Sequence, residues 1–260
     1  MVITGRIYTT MKTDKHRLFV IDIMRIICAF LIYARHSITM FGCTWGARID
    51  EVMLSLTSPV MTTFFILSGF SIHYQHCQEP LSAGWVDSFL KKRIITIMPS
   101  YLLVVLIWPV VYPDQFNDWA LLLPVDLLCV QTTYRTLFGI LHNGGTWFVS
   151  CILFAYLMYP VVKGVLNSTG RWMTIVLICI LHFLLIYSNV LIPCFSLDSL
   201  YSNSIARTAE FALGVACADL LIKVPCVKVS KRNKESLDLM GGGNMHNRLS
   251  YADFFYLSMF

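Results

Sequence analysis

Charged residues are scarce in this chain of 260 residues: only 13% are Asp, Glu, Lys or Arg, whereas 57% are hydrophobic. A soluble domain is roughly one-quarter charged, so this chain lacks the polar groups needed to cover a globular surface in water. In lipid, every backbone N–H and C=O must be paired inside the protein, which leaves helices and closed barrels. Barrel strands alternate in hydropathy over about 10 residues, whereas this sequence has long apolar runs. We therefore predict an all-α fold, a polytopic transmembrane helical bundle.

Signals of several other protein classes are also missing. The nine Cys form no CxxC pair, which argues against a disulfide framework or a zinc motif. His73 and His76 lie three residues apart but at the other end of a span from His36, so we expect no metal site. The net charge of +5 comes from basic residues that flank apolar runs, which is typical of cytoplasmic loops and not of a nucleic-acid surface. No small-residue cleavage site follows the basic segment 1–17, so an uncleaved first span is predicted.

Seven apolar segments follow, and a spanning helix needs about 20 mostly apolar residues. The segments are Leu18–Phe41, Val52–Tyr74, the stretch from Lys91-Lys92-Arg93 to Tyr112, Trp119–Val130, Trp147–Leu166, Trp172–Ile192 and Ile205–Ile222. The fourth is short and contains Pro124 and Asp126. If it dips into the bilayer and returns, the basic clusters all fall on the cytoplasmic side, together with the N-terminus. We therefore predict six full spans and one re-entrant or short helix. A full crossing, which would put Lys163 and Arg171 outside, is the alternative.

These segments define three regions of the chain. Residues 1–17 form a cytoplasmic N-terminal segment, residues 18–222 a membrane domain, and residues 223–260 a charged tail that contains Gly241-Gly242-Gly243. Because the tail is charged and its final aromatic run is too short to span, we expect it to be poorly ordered.

The first apolar segment contains Asp22, Arg25 and His36. A charged group at membrane depth costs about 2.5–3.5 kcal/mol on insertion scales, so it needs a reason and a partner. Arg25 and His36 are eleven residues apart, a rotation of about 1100°, so they share one helix face about 16 Å apart. Asp22 shares that face at i−3 from Arg25. The alternative is an Asp22–Arg25 pair that snorkels to the interface beside a structural His36.

Polar residues in other segments could bind ligands or serve packing. Ser68-Gly69 lets another backbone approach a membrane helix closely. The basic run that ends in Arg93 could bind lipid headgroups or the phosphates of a ligand. Arg207 and Glu210, at i and i+3, can pair on one face.

Together these features resemble the acyltransferase 3 family over about residues 18–222. The most specific element is the arginine and histidine separated by ten residues in the first helix, met here by Arg25 and His36. The further matches are Phe64–Phe70 with its Ser-Gly, the basic run ending in Arg93 before Pro99 and Tyr101, Trp147-Phe148 with Tyr156 and Pro160, and Arg207, Glu210, Phe211 and Gly214. The family usually has about ten spans, so the resemblance also implies that this chain is truncated at its C-terminus.

The resemblance implies a membrane-bound O-acyltransferase that moves an acyl group, expected to be acetyl, from acyl-CoA to a sugar hydroxyl of a cell-surface glycan. It implies His36 as general base, Arg25 as a fixed cation for the donor, and Asp22 as the group that orients Arg25. The expected substrate-binding residues are Arg93, Ser68, Trp147, Arg207 and Glu210. The expected partners are membrane lipid, acyl-CoA as donor substrate and the glycan acceptor, with no tightly bound cofactor, no metal and no nucleic acid. The expected location is the bacterial inner membrane.

Two other function classes stay open at this point. A small transporter would also place Asp, Arg and His inside the membrane, although the repeated halves typical of transporters are not found. An inactive fragment of an acyltransferase is the other, because of the short length.

Overall fold

The computed structural model describes residues 19–132, 146–187, 190 and 201–223. Within these residues the chain forms eight α-helices and no strand, so the predicted all-α class is confirmed. The helices are α1 (Phe19–Phe41), α2 (Ala47–Ser55), α3 (Thr57–His76), α4 (Ala83–Val111), α5 (Phe116–Leu127), α6 (Trp147–Ser168), α7 (Arg171–Ile186) and α8 (Ser204–Lys223). The predicted N-terminal segment 1–17 and nearly all of the predicted tail lie outside the described residues.

Fewer helices qualify as membrane spans than the sequence predicts. Among the described residues, α4 and α6 are each long and apolar enough to cross a bilayer, and α2 with α3 qualifies as a third span bent by 46°. The α7 helix is apolar but has only 16 residues. The 23 residues of α1 and the 20 of α8 include several charged side chains. The prediction of six full spans is therefore not confirmed, and the described helices supply two candidates, or three with the bent pair.

The second predicted segment is a bent pair of helices instead of one continuous helix. The break at Leu56 has a local cause, because the hydroxyls of Ser55 and Thr57 donate to backbone carbonyls of the preceding turn, Val52 O at 2.8 Å and Leu54 O at 3.0 Å. Such bonds compete with the helix and bend it. Pro59 follows and has no N–H with which to continue the ladder.

The third predicted segment begins earlier than expected. Ser82 caps α4, and its hydroxyl accepts a hydrogen bond from the Trp85 N–H at 3.2 Å. The helix therefore starts at Ala83, and the basic run that ends in Arg93 lies inside it, not ahead of it.

The short helix α5 returns along the second half of α4. The Trp119 indole donates to Val105 O at 2.8 Å, and the Tyr101 hydroxyl donates to Asp126 O at 2.7 Å. Twelve residues span about 18 Å, which is less than the hydrocarbon core. This length and position fit a re-entrant or interfacial segment, and its depth in a bilayer stays a prediction.

The centre of the bundle is the contact between α3 and α8. A Cβ on Gly69 would lie 2.0 Å from Phe211 O, and a Cβ on Gly214 would lie 1.9 Å from Ile66 O. The two helices therefore touch backbone to backbone at two places, which confirms the packing interpretation of Ser68-Gly69. Helix α8 also packs against α6 and α7, α1 against α3, and α4 against α6.

A buried lysine joins α6 to the end of α3. The fully buried Lys163 donates to the carbonyls of His76 at 2.5 Å and Glu79 at 2.7 Å, and its ammonium lies 4.2 Å from the Trp85 ring centre. A cation at His76 O is favourable because this carbonyl belongs to the last turn of α3, at the negative end of the helix dipole. Lys163 therefore lies at the same end of the bundle as the start of α4, as the re-entrant interpretation of the fourth segment requires.

Candidate active site

One face of α1 points to the protein interior. Along this face Cys28 is buried, Ile32 packs against the hydrophobic core, and Arg25 donates to Ser68 of α3. His36 falls on the same stripe, since Arg25, Cys28, Ile32 and His36 follow helical spacing. The face that the sequence predicts from Arg25 and His36 is thus the face that contacts α3.

Arg25 is held in place by two neighbours on α3. Its Nη2 donates to Ser68 Oγ at 3.2 Å, and its guanidinium lies 5.6 Å from the Phe64 ring centre. Ser68 is fully buried, and its hydroxyl donates to Phe64 O at 2.7 Å, so its lone pairs face Arg25. The guanidinium orientation is therefore set by α3.

Arg93 of α4 approaches the same region from another helix. Its guanidinium lies 5.3 Å from the Phe89 ring centre and 5.5 Å from that of Tyr156. Its Nε is shielded from solvent and has no hydrogen-bond partner in the part of the chain that the structure describes. The Tyr156 hydroxyl lies close enough to both Arg93 and Arg25 to interact electrostatically with their charges. We call Arg25, Arg93 and Tyr156 the basic cluster, and its two guanidinium groups make it a candidate anion site.

Farther along the α1 face lies a buried ion pair. Arg207 Nη1 is 2.6 Å from Glu210 Oε2, and the two side chains are only 2% and 9% exposed. Thr62 of α3 completes a closed triad, because its hydroxyl donates to Glu210 Oε1 at 2.8 Å and accepts from Arg207 Nη1 at 3.2 Å. The predicted i, i+3 pairing of Arg207 with Glu210 is confirmed.

Aromatic rings surround Arg207. Its guanidinium lies between 5.3 and 5.9 Å from the ring centres of Tyr201, Phe65 and Trp147, and its Nε donates to Tyr201 O at 2.8 Å. Trp147, expected to bind substrate, is buried in this packing. Its contact with Arg207 gives it a role in holding the ion pair.

His36 lies partly buried on the side of α1 that carries these contacts. Its Nδ1 is shielded from solvent without a hydrogen-bond partner among the described residues, and the same holds for Nε of the adjacent Arg35. The positive charge of Arg35 lies close enough to the His36 ring to interact with it electrostatically. Burial raises the pKa of Tyr201, and the nearby charges of Arg35 and Arg207 oppose that rise. These four residues form what we call the His36 neighbourhood.

Asp22 is placed on the same helix but not against Arg25. Its side chain is partly buried and takes part in an interaction. Among the described residues Asp22 forms no ion pair with Arg25. Arg25 donates a hydrogen bond to Ser68 instead. The orienting role of Asp22 stays a prediction.

The structure also shows what the other histidines near the start of α4 contact. His73 is buried 3.3 Å from the Tyr159 hydroxyl and 3.4 Å from Asp219 Oδ1, whereas His76 Nδ1 is 2.7 Å from Glu79 Oε2. In the described parts of the chain, no group of three His, Cys, Asp or Glu could hold a metal ion.

Sequence reasoning missed several contributors to these sites. Tyr156 enters the sequence analysis only as one of the matches to the family, with no role assigned to it. Thr62 carries no spacing signal because it lies 145 residues from Arg207. Tyr201 is only six residues from Arg207, but it precedes α8 and so does not share that helix's periodicity. Arg35 had a readable signal, since it directly precedes the candidate base.

Comparison with known protein families gives a match over most of the chain. The family model described as an acyltransferase domain, acyltransferase 3, matches residues 19–224 and so covers all eight described helices. No curated protein and no solved structure matches the chain significantly.

Proposed function

This chain belongs to the acyltransferase 3 family, and we propose that it is a membrane-bound O-acyltransferase that moves an acyl group from acyl-CoA to a sugar hydroxyl of a cell-surface glycan. Acetyl is the proposed acyl group. The family and the apolar helices support a membrane acyltransferase in general. The observation that carries the finer proposal is the inward face of α1, with Arg25 and His36 about 16 Å apart on it.

His36 is the proposed general base. A sugar hydroxyl is a poor nucleophile and needs a base in the transition state, and a neutral imidazole is the side chain that most often serves as such a base. In the proposed step the acceptor oxygen attacks the thioester carbonyl carbon, a C–O bond forms and the C–S bond breaks. The hydroxyl proton passes to His36, and the departing CoA thiolate then takes it up.

The basic cluster is the proposed site for the phosphates of the donor. Arg25 and Arg93 bring two positive charges to one place, and a guanidinium binds phosphate through paired hydrogen bonds. Arg25 is held by Ser68, so it is a preorganised cation that needs no rearrangement when an anion arrives. A long donor bound there could reach toward His36 with its thioester end.

The proposed orientation follows from charge. With the N-terminus in the cytoplasm of a bacterial inner membrane, Arg25, Arg93 and Lys163 lie toward the inner side and His36 toward the outer side. The donor would enter from the cytoplasm, and the glycan would reach His36 from the outer half.

The experiment is mass spectrometry of surface glycans from cells that carry the gene, lack it, or carry His36→Ala. We expect the acyl modification to fall by about 100-fold or more in His36→Ala, because general base catalysis contributes about 10²–10⁴. His182→Ala is the matched control, since His182 is exposed on α7. Equal acylation in the His36→Ala and wild-type cells, with equal protein in the membrane, would rule out the base role.

A further inference from the structure

Arg35 is a cation that the proposed reaction does not use. It precedes His36, its Nε is shielded from solvent, and no described residue accepts a hydrogen bond from that Nε. A shielded charged donor without a partner is costly. Such a group in a folded protein calls for a specific explanation, of which a bound ligand is one.

Two carboxylates near this end of α1, those of Glu210 and Asp50, have partners of their own. Glu210 is bonded through one oxygen to Arg207 at 2.6 Å and through the other to Thr62 at 2.8 Å. Asp50 of α2 accepts from the Thr44 hydroxyl and the Trp45 N–H, both at 2.9 Å. Arg35 forms no ion pair in the described part of the chain, so no carboxylate there is in contact with its charge.

His36 presents a second shielded nitrogen beside Arg35. Nδ1 of His36 lacks a hydrogen-bond partner among the described residues, just as Nε of Arg35 does. Consecutive helix residues diverge by about 100°, so two such groups can contact separate parts of one ligand. A sugar with a hydroxyl for His36 and an anionic group for Arg35 would satisfy both.

We infer that the acceptor sugar of this enzyme carries an anionic group, a carboxylate or a phosphate, and that Arg35 binds it. The inference rests on the proposed function, because it concerns the acceptor of that reaction. Arg207 does not compete for this anion, since Glu210 neutralises it. Arg35 is thus a residue that determines acceptor specificity, beside the base that activates the acceptor.

The test is direct binding of small sugars to the purified full chain in neutral detergent, measured by saturation-transfer NMR titration. The probes are methyl β-glucuronide, glucose 6-phosphate and the neutral methyl β-glucoside. The wild-type chain should bind at least one anionic probe roughly tenfold or more tightly than the glucoside, which is the scale of a hydrogen bond to a charged group. The glucuronide and phosphate arms tell a carboxylate acceptor from a phosphorylated one. Added salt should weaken the preference, because salt screens charge.

Arg35→Gln should reduce the preference to about twofold or less, and Arg35→Lys should keep part of it, because Lys retains the charge but loses the paired hydrogen bonds. Arg48→Gln, at an exposed arginine of α2, is the control and should bind like wild type. Equal binding of all three sugars by the wild-type chain would overturn the inference without any variant, as would an unchanged preference in Arg35→Gln. These outcomes leave the His36→Ala result untouched, so the inference and the proposed function can fail separately.

Discussion

At the scale of single residues, the Arg207–Glu210 pair has both a structural and a functional interpretation. Two buried charges lose their hydration, so a buried ion pair adds little net stability, whereas removal of one partner costs about 3–5 kcal/mol. The pair lies against Trp147 and Tyr201, next to the proposed acceptor site. Stability and activity therefore need to be measured together.

We predict that Glu210→Gln lowers the free energy of unfolding by about 3 kcal/mol, because it leaves Arg207 as an uncompensated buried cation. The double variant Arg207→Met with Glu210→Leu should be more stable than Glu210→Gln alone, since it removes both charges. Thermal unfolding in detergent measures the stability of both variants, and glycan acylation measures their activity. If the pair serves the reaction, the double variant should lose acylation although it folds. A double variant that keeps acylation would assign the pair to structure alone.

Sequence spacing predicts some residue contacts but not others. The shared face of Arg25 and His36 follows from helix geometry, and so does the i, i+3 pair on α8. The bond from Arg25 to Ser68 joins residues 43 positions apart, and the Thr62–Glu210 bond joins residues 148 apart. Such contacts depend on how helices pack, which local periodicity does not specify.

At the scale of helices, the two glycines between α3 and α8 fix the closest approach in the bundle. A methyl group at Gly69 or Gly214 would overlap a backbone carbonyl of the facing helix. A carbonyl cannot move aside as a flexible side chain can, so the helices would have to separate.

Gly69→Ala and Gly214→Ala should each lower the free energy of unfolding by about 2–3 kcal/mol, the upper part of the range of about 1–3 kcal/mol that is typical of overpacking. Gly84→Ala is the matched control, because a Cβ on Gly84 would meet no atom within 4 Å. It should be neutral or slightly stabilising, since Ala favours a helix over Gly by up to about 1 kcal/mol. Thermal unfolding of the three variants in the same detergent checks this. Unchanged stability in Gly69→Ala would mean that α3 and α8 can move apart without cost.

The sequence predicts helix positions better than helix continuity. The predicted segments Trp147–Leu166 and Ile205–Ile222 differ from α6 and α8 by at most two residues at each end. The bend between α2 and α3 escapes prediction, because the apolar run continues through it while Ser55 and Thr57 form their local bonds.

At the scale of the whole molecule, composition predicts a membrane protein, but the number of spans depends on how each helix lies in lipid. The contact of Lys163 with His76 O and Glu79 O puts the end of α6 beside the end of α3. If α2 and α3 cross as one bent span, the loop at residues 42–46 lies on one side of the membrane, and the ends of α3 and α6 both lie on the other side. The re-entrant interpretation of α5 then puts the end of α6 in the cytoplasm.

Thiol labelling tests this topology in intact cells with a membrane-impermeant maleimide and variants that hold a single cysteine. The exposed Cys43 should be labelled from outside, whereas Gln78→Cys should react only after permeabilisation. Asn167→Cys, at an exposed position near the end of α6, distinguishes the two topologies. It should behave like Gln78→Cys if α5 is re-entrant, because the chain then crosses once between residues 78 and 112 and once more in α6. Labelling of Asn167→Cys from outside, with Gln78→Cys still protected, would instead mean that the segment around α5 crosses the bilayer completely. Labelling of all three positions from outside would mean that α2 and α3 do not form a span.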